Sequence, residues 1–215
     1  MLRAVAAAFL LSGCSLLQAA GVLVVGEGPV VTQTKEVADF TQIQFNGGVK
    51  YEVTVGQPTS VTVAAQQNLL DITTVNSVAG KLTVTTTRPY TSDQGVTVTV
   101  TTPSLTSISV NGGTSGDVQA IAATDFKIDA NGGATLTVFG SCTALTFDGN
   151  GGSHVDATNM AATSAVVSIN GGASAVLNVT GNVTGTANGG ASLTILGHPA
   201  TVSVSTGGGA SVHQQ

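Results

Sequence analysis

The tripeptide Asn-Gly-Gly constrains this chain more than any other feature. It stands at 46–48, 111–113, 131–133, 150–152, 170–172 and 188–190. From Asn111 onward the spacing is nearly even, through Asn131, Asn150, Asn170 and Asn188, and Gly207 takes the Asn place in a sixth copy. A period held at about 20 residues is the mark of a solenoid, in which each period is one coil that buries its apolar side against its neighbours.

Counting from the Asn gives the register. Three residues before it stand Ile108, Ile128, Phe147, Val167, Gly185 and Val204; five before it stand Thr106, Phe126, Leu145, Ala165, Val183 and Val202. Five after it stand Gly116, Leu136, Val155, Ala175, Leu193 and Val212; seven after it stand Val118, Val138, Ala157, Leu177, Ile195 and Gln214. These columns are mostly apolar and the positions between them mostly polar, the period-two pattern of strands with one face in and one face out. Each coil therefore reads as strand, Asn-Gly-Gly corner, strand and a looser second corner, near 119–125, 139–143, 158–164, 178–182 and 196–200. Glycine takes positive φ without steric cost and Asn tolerates it better than most residues, which explains the corner. Asn111, Asn131, Asn150, Asn170 and Asn188 are then structural turn residues. Their amides can stack as a hydrogen-bonded ladder. Three residues past each Asn stand Thr114, Ala134, Ser153, Ala173, Ala191 and Ala210, all small.

Residues 30–104 lack this rhythm and read as a region of short alternating strands ahead of the 105–215 repeats. "TQIQF" (41–45) and "KYEVTV" (50–55) flank Asn46-Gly47-Gly48, which by itself predicts a β-hairpin. "NLLDITTV" (68–75) breaks the alternation and reads as a strand or a helical turn, and "RPYTSDQG" (88–95) as a loop.

The first residues read as an export signal: Arg3, then the apolar run "AVAAAFLL" (4–11), too short to span a bilayer. Leu11-Ser12-Gly13-Cys14 resembles a bacterial lipobox, which implies a signal peptide over 1–13, lipid on Cys14 and a tether over 14–29. The competing reading is cleavage after Ala20, which Gln18 at the −3 position fits poorly. Ser15 after the cysteine matches sorting to the outer membrane if the cell is Gram-negative. With Cys14 acylated, Cys142 has no partner for a disulfide and reads as a small buried hydrophobe.

The sustained series "ISVNGG", "SINGGAS" and "ANGGAS", together with "FTQIQFNGGVKYEVTVGQPTSVTVAAQQNLLDITT" (40–74) and "GKLTV" (80–84), resembles the bacterial head GIN domain family of auto-transporter adhesins over roughly residues 30–212. The corners here read Asn-Gly-Gly where relatives carry Gly-Ser-Gly or Gly-Ile-Asn. The resemblance implies an all-β fold, a right-handed parallel β-helix with tight Gly-rich turns, a role in adhesion and no retained catalytic residues.

Composition narrows the chemistry. Only 8% of residues are charged, the formal net charge is −5, and beyond Arg88 only Lys127 is basic against five aspartates after residue 100. Nucleic acid, which needs clustered Lys and Arg, is excluded as a partner. Asp129 and Asp148 both stand two residues before a corner Asn, which makes them outward neighbours on adjacent coils with mild like-charge repulsion. Paired carboxylates can cleave glycosides or hold Ca²⁺, but two solvated aspartates on a Ser/Thr face explain them as well. His154 and Asp156, two apart on one strand face, lack a nucleophile. His198 and His213 fall elsewhere, so a three-His metal site is not expected. The sequence thus predicts a non-enzymatic, lipid-anchored cell-envelope module, structural or adhesive, with no cofactor. Its expected partners are membrane lipid through Cys14 and a surface glycan or protein. The alternative is a carbohydrate-binding or polysaccharide-active β-helix protein.

Overall fold

The computed structural model describes residues 23–215. The expected signal peptide, Cys14 and the first part of the tether lie outside the described residues. Strands β1 (Val24–Val25), β2 (Val30–Thr34), β3 (Gln42–Phe45), β4 (Lys50–Val55) and β5 (Ser60–Gln66) lead into one helical turn, α1 (Gln67–Leu70). β6 (Thr73–Val78), β7 (Lys81–Thr86), β8 (Tyr90–Thr91) and β9 (Thr97–Thr102) follow. The repeats hold β10 (Ser107–Gly112), β11 (Ser115–Gly132), β12 (Thr135–Gly149), β13 (His154–Ile169), β14 (Ser174–Val179), β15 (Asn182–Ala187), β16 (Ser192–Leu196), β17 (Thr201–Thr206) and β18 (Ser211–Gln214).

These strands wind into a parallel β-solenoid of about five turns with coils of about 20 residues. The columns read from the sequence are its core. Leu82, Ile43, Ile108, Ile128, Phe147 and Val167 follow one another in parallel register, and all are buried. The opposite wall stacks Val98, Tyr51, Gly116, Leu136, Val155, Ala175 and Leu193. A further inward column lies one residue before each Asn, at Val110, Ala130, Ile169 and Ala187, each buried. One continuous apolar cluster runs from Phe40 to Ile195. Thr106 and Gln214 break their columns by being exposed.

The corners show why glycine recurs. Gly132, Gly151, Gly171 and Gly189 have φ of 73–75°, a region costly to any residue with a Cβ. They also stack: Gly152 and Gly172 donate their amides to the carbonyls of Gly132 and Gly151 at 2.7 Å. A Cβ on Gly151 would lie 3.1 Å from the Gly132 oxygen.

One expectation is corrected. The Asn46 corner does not close a hairpin. β3 pairs in parallel with β7 and β10, and β4 with β9 and β11, so the two strands lie on different walls of one coil. The local signal for a turn was right, but the partners come from the later repeats. The hairpin of this region is instead β6–β7, antiparallel through Ala79 and Gly80, both at positive φ. The looser second corner of the middle coils is made without a break in the strand. β11, β12 and β13 run through it as continuous strands that bend at register shifts, between Val118 and Ile121, Thr137 and Phe139, and Ala157 and Ala161. Bulges of this kind bend a strand without ending it.

The coil of β7 and β9 is outermost at one end, and antiparallel strands extend both walls there, β6 beside β7 and then β5 and β2 beside β9. α1 crosses between the walls and plugs the end of the core with Leu69 and Leu70, both buried. Asn-Leu-Leu therefore forms a helical turn, and the following Thr-Thr-Val a strand. The N-terminal segment is part of this cap. Val24 N donates to Pro89 O at 3.0 Å, Gly26 N to Thr91 O at 2.9 Å, and Asn68 Nδ2 to Val25 O at 2.6 Å.

Candidate functional site

The asparagines of the corners form one ladder. Asn111 Nδ2 donates to Asn46 Oδ1 at 3.0 Å, and Asn131, Asn150, Asn170 and Asn188 each donate to the asparagine of the preceding coil at 3.0–3.3 Å. Gln44 Nε2 closes the ladder at Asn46 Oδ1, 3.1 Å away. The amide oxygens of Asn46, Asn111, Asn131, Asn150 and Asn170 are each engaged by the next coil, so these side chains are committed to holding the corners in register.

Asp129 and Asp148 stand side by side on the outer wall, paired across β11 and β12. The expected repulsion between them is overturned, because Lys127 lies between them. Its Nζ is 2.9 Å from Asp129 Oδ1 and 3.3 Å from Asp148 Oδ2, and Ser109 Oγ donates to Asp129 Oδ2 at 3.1 Å. The hydrogen bond to Asp129 raises the lysine pKa above its ordinary value, with Asp148 adding to it. Lys127 and Asp129 are two apart on one outward strand face, so this bridge follows from the same alternation that placed the pair. Exposed pairs of this type contribute about 0–1 kcal/mol. Replacing both aspartates by asparagine is therefore expected to leave the melting temperature within that small margin, without the gain that repulsion would predict. Added Ca²⁺ or chelator should shift neither protein. A calcium-dependent rise present in wild type and lost in the variant would instead mark the pair as a cation site.

His154 and Asp156 are not joined. His154 Nδ1 lies 2.8 Å from Ser174 Oγ on the next coil, whereas Asp156 Oδ1 accepts from the amide of Thr158 at 3.0 Å. The Thr158 contacts hold the Asp156 carboxyl below its usual range, with His154 a smaller contributor. A Ser-His contact is present, but nothing orients the imidazole from its other side, as a nucleophile-base pair requires. His198 sits at positive φ in the corner after β16, and His213 is exposed on β18. Cys142 is buried and free, and burial, followed by the charge of Asp125, pushes its thiol up to about 11. A thiol so poised is an inert packing group. Among the described residues, no cluster of three or more His, Cys, Asp or Glu side chains is placed to hold a metal.

Sequence reasoning passed over a concave region at the N-terminal end of the solenoid. Beside the Asn46 corner lies an open cleft of about 670 Å³, walled by Gly47, Gly48 and Lys50 on one side and by 86–93 with Gly95 on the other. The loop that forms its far wall is fastened, not free. β8 pairs with β1, Ser92 Oγ donates to Gln66 Oε1 at 2.7 Å, and the amides of Gln94 and Gly95 donate to Ser92 Oγ at 3.1 and 3.0 Å. Tyr90 is half-buried, and its hydroxyl donates to Gly48 O at 2.9 Å, which ties the loop to the corner. Burial raises the Tyr90 hydroxyl pKa, partly offset by a backbone hydrogen bond from Val96. Among the described residues, both ion pairs belong to Lys127. Lys50 and Arg88 thus line the cleft with no carboxylate within ion-pair distance.

The sequence profile described as "Putative auto-transporter adhesin, head GIN domain" matches residues 39–199. The chain belongs to this family. The head GIN match takes in every residue of the cleft, all six ladder asparagines and Lys127 with both of its aspartates. No curated protein matches the sequence. Among solved structures, a "putative adhesin" from Bacteroides fragilis superposes with a TM-score of 0.71 at 16% identity, covering 89% of this chain and 100% of that one. A "putative adhesin" from Parabacteroides merdae gives 0.55 at 17% identity over 90% and 99%. A "putative lipid binding protein" from Parabacteroides distasonis gives 0.53 at 14% identity over the same shares. At these identities the likeness is one of fold. Among the described residues no helix is long and apolar enough to cross a membrane.

Proposed function

We propose that this chain is a cell-surface module of adhesive type, held to a membrane by lipid on Cys14 and acting by presenting a rigid β-solenoid, not by catalysis. The observation that carries this reading is membership of a family described by an adhesin role. Three features support it. Leu11-Ser12-Gly13-Cys14 follows an apolar run of the length that export requires. The groups that chemistry would need are spent on structure, the paired aspartates on Lys127 and Asp156 on Thr158. The solenoid is one uninterrupted core, a shape suited to display.

The test is fractionation of cells expressing the full chain and its Cys14→Ala variant, with intact-mass analysis of the purified proteins. Wild type is expected in the membrane fraction, starting at Cys14 with acyl mass added, and open to protease on intact cells. The variant is expected to lose the acyl mass and leave the membrane. An unmodified wild-type chain that begins at Gly21 would defeat the anchor.

A further inference from the structure

We infer that the cleft beside the Asn46 corner is a binding site for a carboxylate-bearing sugar, a uronic acid unit of an acidic polysaccharide. The inference deepens the surface-module reading and rests on it for access to such polymers.

Charge is the first argument. The described residues hold five cations, Lys35, Lys50, Lys81, Arg88 and Lys127, in a chain of net charge −5. Two of them, Lys50 and Arg88, converge on this one concavity and are unpaired there. Against an acidic background such a site draws anions, and a concave wall concentrates the effect. The guanidinium fork suits a planar carboxylate, which it can engage through two parallel hydrogen bonds.

The second argument is what accompanies the charge. Tyr90 offers the cleft a half-exposed ring whose orientation is set by its hydroxyl on Gly48. The other described tyrosine, Tyr51, is buried, as are Phe40, Phe45, Phe126 and Phe147. An aromatic face stacks on the C–H face of a sugar ring, and an amphipathic ring of this kind is the usual anchor where one side is apolar and the other wet. Asp93 and Thr91, both exposed in the same wall, add acceptors for sugar hydroxyls. A single carboxylate beside two cations also selects against densely charged ligands. Two cations cannot neutralise a nucleic acid backbone, and Asp93 would repel a doubly charged phosphate.

The third argument is pre-organisation. The loop is held by β1, by Ser92 and by Tyr90 before any ligand arrives, so binding orders little that is not already ordered. The cleft volume falls within the range of about 300–1,000 Å³ typical of small-ligand sites.

The full-length chain, purified in mild detergent, would be titrated with alginate oligomers, with their carboxyl-reduced neutral counterparts, with dextran sulfate and with vesicles of anionic phospholipid. Wild type is expected to bind the alginate oligomers saturably, with affinity falling as salt is raised. The Lys50→Gln/Arg88→Gln variant, altered only at exposed side chains, should bind them at least tenfold more weakly at an unchanged melting temperature. Carboxyl-reduced oligomers should bind wild type as weakly as alginate binds the variant. The inference is overturned by any of four results: no saturable alginate binding, equal binding by the neutral oligomer, no effect of the double substitution, or dextran sulfate or vesicles that bind as tightly with the same dependence on Lys50 and Arg88. A chain that is acylated and surface-exposed yet blind to alginate would sink the cleft alone. A chain that binds alginate but carries no lipid would sink the anchor alone.

Discussion

Replacing Gly116 by leucine is expected to destabilise the protein by about 3 kcal/mol or more, the upper end of the overpacking range. For a domain of this size that lowers the melting temperature by roughly 6–12 °C. The result would be notable because leucine is what the same column holds at Leu136 and Leu193. By column logic the change repairs a gap. In the structure the gap is already filled. Tyr51 lies on the neighbouring coil, in register with Gly116. A Cβ at Gly116 would overlap the Tyr51 carbonyl oxygen and come within 2.6 Å of its ring. That ring stacks on Phe45 with centroids 4.4 Å apart, and its hydroxyl donates to Thr135 O at 3.0 Å, one coil beyond Gly116. Burial holds the hydroxyl far above its usual pKa, so it stays a neutral donor at any physiological pH. Leucine at 116 would displace the ring and strand that hydroxyl, and differential scanning calorimetry would read the loss. An unchanged or raised melting temperature would show that Tyr51 does not occupy the space.

Truncating Ile128 or Leu136 to alanine is expected to cost about 2–5 kcal/mol each, the range for buried large-to-small changes. Both are fully buried on facing walls around one corner. Thr135→Ala, on the exposed face between them, should stay within about 0.5 kcal/mol, since its contact with Tyr51 is through the backbone. Urea melts of the three variants separate these cases. Equal losses at 128, 135 and 136 would mean that the assigned register of inward and outward faces is wrong.

The repeat half was legible because a short, nearly fixed period leaves little choice. Once Asn111, Asn131, Asn150, Asn170 and Asn188 are aligned, the inward columns on either side follow from alternation. The first half was not, for a reason of range. Asn46-Gly47-Gly48 carries the same local signal as a hairpin turn, and only β10 and β11, far along the chain, decide that it is a solenoid corner. Gly116 shows the same limit, because its column position says leucine while Tyr51, on a coil formed much earlier in the sequence, says glycine. The bridge from Lys127 to Asp129 and Asp148 could have been read from the period-two pattern. The cleft could not, since it is assembled from 47–50, 86–95 and Gly113, three segments whose meeting depends on the coil order.

That coil order has a mechanical meaning. The coil of β3 and β4 comes before that of β7 and β9 in the chain, yet it lies inside it in the stack, clasped by strands on both sides. A pull on the N-terminal end therefore meets β1 first, which is paired with β8 at only two positions. It next meets β2, which sits on the outer edge of β5 and can unzip from it. Along the chain β3 comes only after both, and there two neighbours resist together. On the Cys14 anchor proposed above, those outer strands would be the first to yield to a tug, ahead of the inner coil that carries Asn46 and the start of the asparagine ladder.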